Sequence, residues 1–518
     1  MKVFKIKIVV ALITLLTVFS VEMFAQKNSR PNVIVVLADD LGTGDVSYYR
    51  KLHSNKIVLE TPNLDKLANE GMIFTNAHSP AALCATSRYA IMTGNSCYRS
   101  AEGWGVWGGY SKPVIKEEQL TLGRLMKQAN YNTAFFGKWH IGTGFGRKDN
   151  SEVLFISNRQ EKKNPRVPVD ITKILYGPKQ FGFDYSLSLP AGIQNTPYAI
   201  YENHKWLKLK ENSTIKVINQ EDYKRLGVDH FNKPGWGDSN WNPSEMGPLL
   251  ASKAVDYIAE NANKTAPFFM YYCSQAVHTP HAPPTEINGV KIKGTTPSKH
   301  LDMVKELDQQ VGMLINELKK QGVYDNTVII FTSDNGGLGP DIVPDSYSSG
   351  HQPSSIYRGS KNLPYEGGHR VPFIVSWPHN IKKQQQSSQP IIGMDIMATL
   401  AGITNQTIGK SVAQDSHNLM PVLKNVKGAK THDFLMVQGG ADKEYIINDK
   451  GWKLILQVNK KTKDYLDATP IGLFNLNDNQ IEEQSKDYIN NPAYQDKVAS
   501  LLKKYKETIK SNVYLGNH

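Results

Sequence analysis

Four short runs of β-branched and aromatic residues constrain this chain more than any other feature. They are residues 32–37 (NVIVVL), 133–136 (TAFF), 267–272 (PFFMYY) and 328–331 (VIIF). Each is apolar on successive rather than alternate residues, so both faces must be buried, as in the central strands of a parallel sheet. Helical spacing separates them at 64–68, 120–129, 249–261 and 300–321, the last placing Met303, Leu307, Val311, Leu314 and Leu318 three or four residues apart. Alternation of the two patterns predicts an α/β fold with a large, mostly parallel central sheet flanked by helices.

The rest of the chain hangs on that core. Residues 1–25 read as a signal peptide, with Lys2, Lys5 and Lys7 ahead of an apolar run (8–21) shorter than the ~20 residues that span a bilayer, and Ala25 at the cleavage point. No later stretch is apolar enough to span a membrane, so a secreted or periplasmic protein is expected. One large domain over 26–410 follows, with 144–245, rich in Gly, Pro and Asn, read as insertion loops over one end of the sheet. From 411 to 518 the pattern changes to a small α+β subdomain. There residues 445–448 and 452–457 alternate around Asp449-Lys450-Gly451, a hairpin signal, and 493–509 form a terminal amphipathic helix.

Composition serves mainly to exclude. Three cysteines (Cys84, Cys97, Cys273) are too few for a disulfide scaffold or a cysteine-rich zinc or iron–sulfur protein. A net charge of +12, falling to +10 without the signal, admits nucleic acid, anionic lipid or an acidic polymer as partner.

Polar chemistry follows every strand run: Asp39-Asp40, Lys138-Trp139-His140, His278-Thr279-Pro280-His281 and Asp334-Asn335. Ligands of open α/β sheets bind beyond the carboxyl ends of the strands, so the four tips converge on one site. Either acidic dipeptide alone reads equally as an ordinary turn. Together, three carboxylates and an amide without cysteine or histidine at zinc spacing suit calcium or magnesium. Lys138 and His140, two apart, would share a face and suit an anionic substrate with acid–base chemistry. Cys84 stands at the start of a helix with Arg88 one turn on, either an anion site or a buried structural cysteine beside an ordinary helix arginine.

At these residues the chain resembles the type I formylglycine-dependent sulfatases, arylsulfatase-like members of the alkaline phosphatase superfamily. Their motif of Cys or Ser, any residue, Pro or Ala, any residue, Arg stands here as Cys84-Ala85-Thr86-Ser87-Arg88, with Thr93-Gly94 behind it. In order follow PNVIVVLADDLG (31–42), GKWH (137–140), HTPHAP (278–283), SDNGG (333–337) and RGSKNLPYEGGHRVPFIVSWP (358–378), and LFNLNDNQIEE (473–483) is similar to the family's closing subdomain. The resemblance implies that Cys84 is oxidised to formylglycine (3-oxoalanine), whose hydrate attacks sulfur. It implies one Ca2+ held by Asp39, Asp40, Asp334, Asn335 and the modified Cys84. Arg88 would hold the hydrate, Lys138 and Lys361 would bind sulfate oxygens, His278 would protonate the leaving alcohol, and His140 would take the proton whose loss expels sulfate. His281 reads as a substrate contact or an alternative proton donor. The family relation also implies a partner, a formylglycine-generating or anaerobic sulfatase-maturing enzyme. Thr86 departs from the usual Pro or Ala and bears on which of these acts.

For the substrate, an exported basic enzyme points to a sulfated carbohydrate rather than nucleic acid. His351, Trp104, Trp107, Trp236 and Trp241 are candidate sugar contacts, the tryptophans equally candidate loop anchors. The alternatives are a phosphate or phosphonate ester hydrolase of the same superfamily and a catalytically inactive glycan-binding homologue. Cys97 and Cys273 are assigned no chemistry.

Overall fold

The computed structural model describes residues 30–511, apart from 101–102, 157–165, 410, 441–443, 460 and 463. The signal peptide expected over 1–25 lies outside the described residues. Twelve strands form the central sheet: β1 (Asn32–Ala38), β2 (Met72–Phe74), β3 (Asn132–Lys138), β4 (Gly144–Arg147), β5 (Val169–Tyr176), β6 (Tyr185–Leu189), β7 (Ile200–Glu202), β8 (Lys205–Leu207), β9 (Phe268–Cys273), β10 (Thr327–Ser333), β11 (Ile374–Ser376) and β12 (Gln385–Ser387). Their spatial order is β12-β2-β11-β10-β1-β9-β3-β6-β7-β8-β5-β4. All four apolar runs lie in the middle, in β10, β1, β9 and β3, and these strands with β6 are mutually parallel. Towards both edges antiparallel pairing takes over, except that the outermost pair on one side, β12 with β2, is parallel.

The two-sided burial inferred from the runs is visible along β1. Ile34 and Val36 enter one apolar cluster and Val33, Val35 and Leu37 the other. The first cluster packs against helices α1 (Pro62–Asn69), α4 (Met246–Asn261) and α5 (Lys299–Lys320). The second packs against α2 (Cys84–Thr93), α3 (Leu122–Gln128) and α6 (Asp395–Ile403). In α5 the expected stripe of Met303, Leu307, Val311, Leu314 and Leu318 is buried, and Ser298 caps the helix by accepting a hydrogen bond from the Leu301 N–H (3.1 Å). Each such side chain taken from water contributes about 1.5–3 kcal/mol, which is why the apolar stripe fixes the helix on the sheet.

Residues 144–245, read from sequence as insertion loops, add β4–β8 to the sheet and a separate hairpin of Ile215–Ile218 with Gly235–Asp238. The strands there are short and are broken by turns such as Asn203-His204, both at positive φ, so no window shows a period.

At the C-terminal end β13 (Phe434–Gln438), β14 (Glu444–Asp449), β15 (Trp452–Val458) and β16 (Ala468–Asn475) form an antiparallel sheet covered by α7 (Gln495–Lys510). The hairpin turn is Lys450-Gly451, both at positive φ (52° and 83°), as a two-residue connection between twisted strands requires. Two devices tie this sheet to the core. Gln438 exchanges backbone hydrogen bonds with Pro80 and Ala82 (3.0 and 2.9 Å). Beside them the fully buried Lys453 ammonium reaches Glu482 (2.7 Å) and Glu366 (3.0 Å), while Arg370 holds the other Glu366 oxygen (2.6 Å).

Candidate active site

The strand tips meet as expected. Asp39 and Asp40 follow β1, Lys138 ends β3, His278 lies on the turn after β9, and Asp334 and Asn335 follow β10. Lys361 comes from the loop whose backbone N–H bonds the Gly337 carbonyl (2.9 Å). The Lys138 ammonium contacts both Asp39 oxygens (2.9 and 2.7 Å), and Lys361 contacts Asp40 (2.6 Å). Burial opposes the charge on Asp40, but Lys361, His278 and Lys138 hold its carboxyl well below the usual range. Asp334 goes the other way: burial outweighs Arg88, and with Asp39 and Asp40 nearby its carboxyl is pushed up to about 6.

Arg88 is fixed from three sides. Its Nε donates to Asp334 (2.9 Å), its Nη1 donates to the Lys138 carbonyl (2.9 Å), and its Nη2 makes ion-pair contacts with Asp334 (2.7 Å) and Asp39 (3.4 Å). It therefore braces the carboxylates, and the His140 Nδ1 lies 3.5 Å from the Cys84 Sγ. Cys84 opens α2 after an extended Leu83 with no side-chain cap. Burial raises the Cys84 thiol, against Lys138 and Lys361, which favour negative charge there. His140, at φ 58°, has a buried Nε2 without a partner, and burial with Lys138 and Arg88 holds its imidazole far below the ordinary value, hence neutral.

Three carboxylates and one amide carbonyl form the oxygen cluster. Asn335 donates through Nδ2 to Asp40 (3.0 Å) and to the Gly336 carbonyl (2.9 Å), which leaves its Oδ1 buried and without a partner. An orphaned carbonyl beside crowded carboxylates is what a hard cation would satisfy, so these residues fit Ca2+.

His278 Nδ1 donates to the Thr279 carbonyl (2.6 Å), and its Nε2 lies 3.6 Å from Asp40. Burial and Lys361 push this imidazole down to about 3. His281 sits behind it with an unpartnered Nε2, edge-on to His300 (5.5 Å between rings). His351 is bonded to Asp45 (2.7 Å), so it is a buried support rather than an open contact. Sequence reasoning missed Asp45 and His300, which hold this wall; Asp45, five residues beyond Asp40, was the available signal.

Of the four tryptophans, Trp107 and Trp241 are buried and Trp104 and Trp236 are half-buried. Trp107 is buried against Tyr89, and Trp241 is buried with its Nε1 donating to the Tyr223 hydroxyl (3.1 Å). Trp104 packs on Tyr445 in the C-terminal subdomain (5.8 Å). Trp236 donates to the Val167 carbonyl (3.0 Å) and is covered by the Lys148 ammonium (3.6 Å). These contacts give each indole a packing role. Cys97 and Cys273 are free and buried, and burial raises both thiols to about 12, which leaves them inert.

With this geometry, the comparison with known proteins is direct. The sulfatase family profile matches residues 31–406, and the chain belongs to that family of sulfuric ester hydrolases. Among its relatives is N-acetylgalactosamine-6-O-sulfatase of Bacteroides thetaiotaomicron, 29% identical over 480 residues and covering 86% of each chain. Human steryl-sulfatase is 28% identical over 454 residues, covering 81% of this chain and 74% of its own. A solved structure from work on metabolism of multiple glycosaminoglycans by Bacteroides thetaiotaomicron superposes with a TM-score of 0.75 at 26% identity, covering 93% of this chain and 99% of that one.

Proposed function

We propose that this enzyme is an exported sulfatase of sulfated carbohydrates, with formylglycine formed from Cys84 as nucleophile and one Ca2+ at the oxygen cluster. One observation carries the reading: Cys84, at the uncapped start of α2, faces His140 and lies in the field of Lys138 and Lys361, beside an oxygen cluster that includes the orphaned Asn335 carbonyl. The glycosaminoglycan connection of the relatives supports a sugar O-sulfate as substrate. Among the described residues no helix is long and apolar enough to cross a membrane.

Oxidised Cys84 supplies a geminal diol able to displace an alcohol from sulfur, and bound Ca2+ supplies positive charge beside the sulfate oxygens. The remaining steps belong to side chains of the site. Lys138 and Lys361 present ammonium groups to the ester and offset charge that develops in the transition state. His278 keeps its Nδ1 proton on the Thr279 carbonyl, so Nε2 is the atom that hands a proton to the departing oxygen. Burial and Lys361 favour its neutral form, and the negative charge of the bound ester is what favours its protonated form. His140, held neutral beside position 84, accepts the proton whose removal frees sulfate. Arg88 keeps Asp334 and Asp39 in place throughout.

The test is mass analysis of the Cys84 peptide combined with sulfate release from a panel of sulfated sugars, with and without a calcium chelator. Formylglycine at Cys84, sulfate release that falls on chelation, and no turnover by Cys84→Ser are expected. Unmodified Cys84 with full activity, or undiminished multiple turnover by Cys84→Ser, refutes the reading. Preference for phosphate esters would move the assignment to the phosphohydrolases of the superfamily.

A further inference from the structure

A polar network with no part in the chemistry above lies under the turn that carries His278. Glu306, on the sheet-facing side of α5, is wholly buried. Its Oε1 accepts from the side-chain amides of Gln275 (2.8 Å) and Gln310 (2.9 Å). Gln310 in turn accepts, through Oε1, from the hydroxyls of Tyr272 (2.9 Å) and Ser274 (2.9 Å). Ser274 Oγ then accepts the Ala276 N–H (3.1 Å). The far side of the same turn is paired with the metal-site strand: the Asp39 N–H donates to the Ala276 carbonyl (2.9 Å), and the Val277 N–H donates to the Asp39 carbonyl (2.6 Å).

We infer that Glu306 is a positioning residue, which acts through Gln275, Gln310 and Ser274 to fix the 274–278 turn and so the place of His278 over the leaving group. The inference rests on the reading of His278 as proton donor given above. Two further observations support it. Helix α4 approaches so closely that a Cβ on Gly247 would stand 1.7 Å from Glu306 Oε1, so the neighbouring helix is shaped around the carboxyl. Among the described residues no cation pairs with Glu306; burial raises its carboxyl to about 8, so at neutral pH it is an uncharged acid kept for hydrogen bonding. A leucine would fill such a site at lower cost to stability, whereas a connected polar network specifies one geometry.

The experiment compares two leaving groups in the full-length matured enzyme. A sugar alkoxide needs a proton as it departs, whereas 4-nitrophenolate leaves as a stable anion, so a misplaced donor slows only the first. Loss of a general acid costs about 100-fold or more in rate, so His278→Ala is expected to lose that on the sulfated sugar and only about threefold on 4-nitrophenyl sulfate. Glu306→Leu should lose about 10- to 100-fold in kcat on the sugar with KM little changed, and about threefold or less on the aryl ester. Glu306→Gln, which keeps an uncharged acceptor, should stay within about threefold of wild type on both. Should Glu306→Leu fail to fold, Gln275→Ala, which removes one donor to the same oxygen, carries the comparison. Equal loss on both esters, or on neither, overturns the inference while His278→Ala keeps its bias. If His278→Ala shows no bias, the reading of His278 itself has failed and this inference falls with it.

Discussion

Lys453→Met would test the tie between the two parts of the molecule most sharply. Its ammonium is fully buried and meets Glu482 at 2.7 Å, Glu366 at 3.0 Å and the His369 Nε2 at 3.2 Å. Removing it does not affect the two carboxylates equally. Glu366 keeps Arg370 at 2.6 Å, but among the described residues the one hydrogen bond left to the Glu482 carboxylate is from the Glu366 backbone N–H, also at 2.6 Å. The cost is therefore that of one buried carboxylate losing its cation, about 3–5 kcal/mol. Burial already raises the Glu482 carboxyl above its ordinary value, so acidifying the solution should shrink the penalty as Glu482 takes up a proton. Adding Glu482→Gln removes the stranded charge, and the double variant should recover about 2–3 kcal/mol, a coupling expected only for groups in contact. Urea unfolding of the wild type, the two single variants and the double variant measures this cycle. A Lys453→Met protein within about 1 kcal/mol of wild type, or a double variant no better than the single, would refute the reasoning. The same network backs the segment that leads from Lys361 to His369, so sulfate turnover should fall with stability.

Two other outcomes are expected. Glu306 keeps its proton in the folded protein up to about pH 8 but releases it near its ordinary value of 4.5 when unfolded, so the stability it contributes is complete at low pH and is lost as pH rises towards 8. At about 1.4 kcal/mol per pH unit, wild type should lose about 2–3 kcal/mol relative to Glu306→Gln between pH 5.5 and 7.5, and parallel urea midpoints for the two proteins would exclude it. Trp104→Ala should destabilise the C-terminal subdomain by about 1–3 kcal/mol with KM for the sulfated sugar unchanged, and a large rise in KM without loss of stability would make Trp104 a sugar contact after all.

The catalytic centre was legible in sequence because parallel strands buried on both faces leave an unmistakable run, and the polar residues after each run can only gather at one end of the sheet. Asp39, Asp40, Lys138, His278, Asp334 and Asn335 were reachable in that way. Lys361 was not, since no strand leads into it; only its likeness to a family motif placed it. The tryptophans show the limit of residue type as a guide: an indole in a loop has the same signature whether it meets a sugar or, as Trp241 does, Tyr223. The strands of 144–207 escaped because three of the five have only three or four residues, too few alternations to count, while the eight-residue β5 mixes buried, half-buried and exposed positions without a clean period. Glu306 escaped for the opposite reason. On α5 it sits in a regular amphipathic pattern, where an acidic residue is read as solvated, yet it is buried with two amide partners, Gln275 from the turn after sequence-distant β9 and Gln310 one turn on in its own helix.

The pairing of Gln438 with Pro80 and Ala82 also sets an order of events. Cys84 is 3% exposed, and the residues just ahead of it are stitched to a strand that the ribosome completes far later in synthesis. Until that strand emerges, the segment ahead of α2 lacks these hydrogen-bond partners. If Cys84 is converted to formylglycine as proposed above, the maturing enzyme would have a window that opens with the nascent chain and closes as the C-terminal sheet arrives. Slowing translation between the two segments should widen it, and a variant that folds faster should carry more unconverted cysteine.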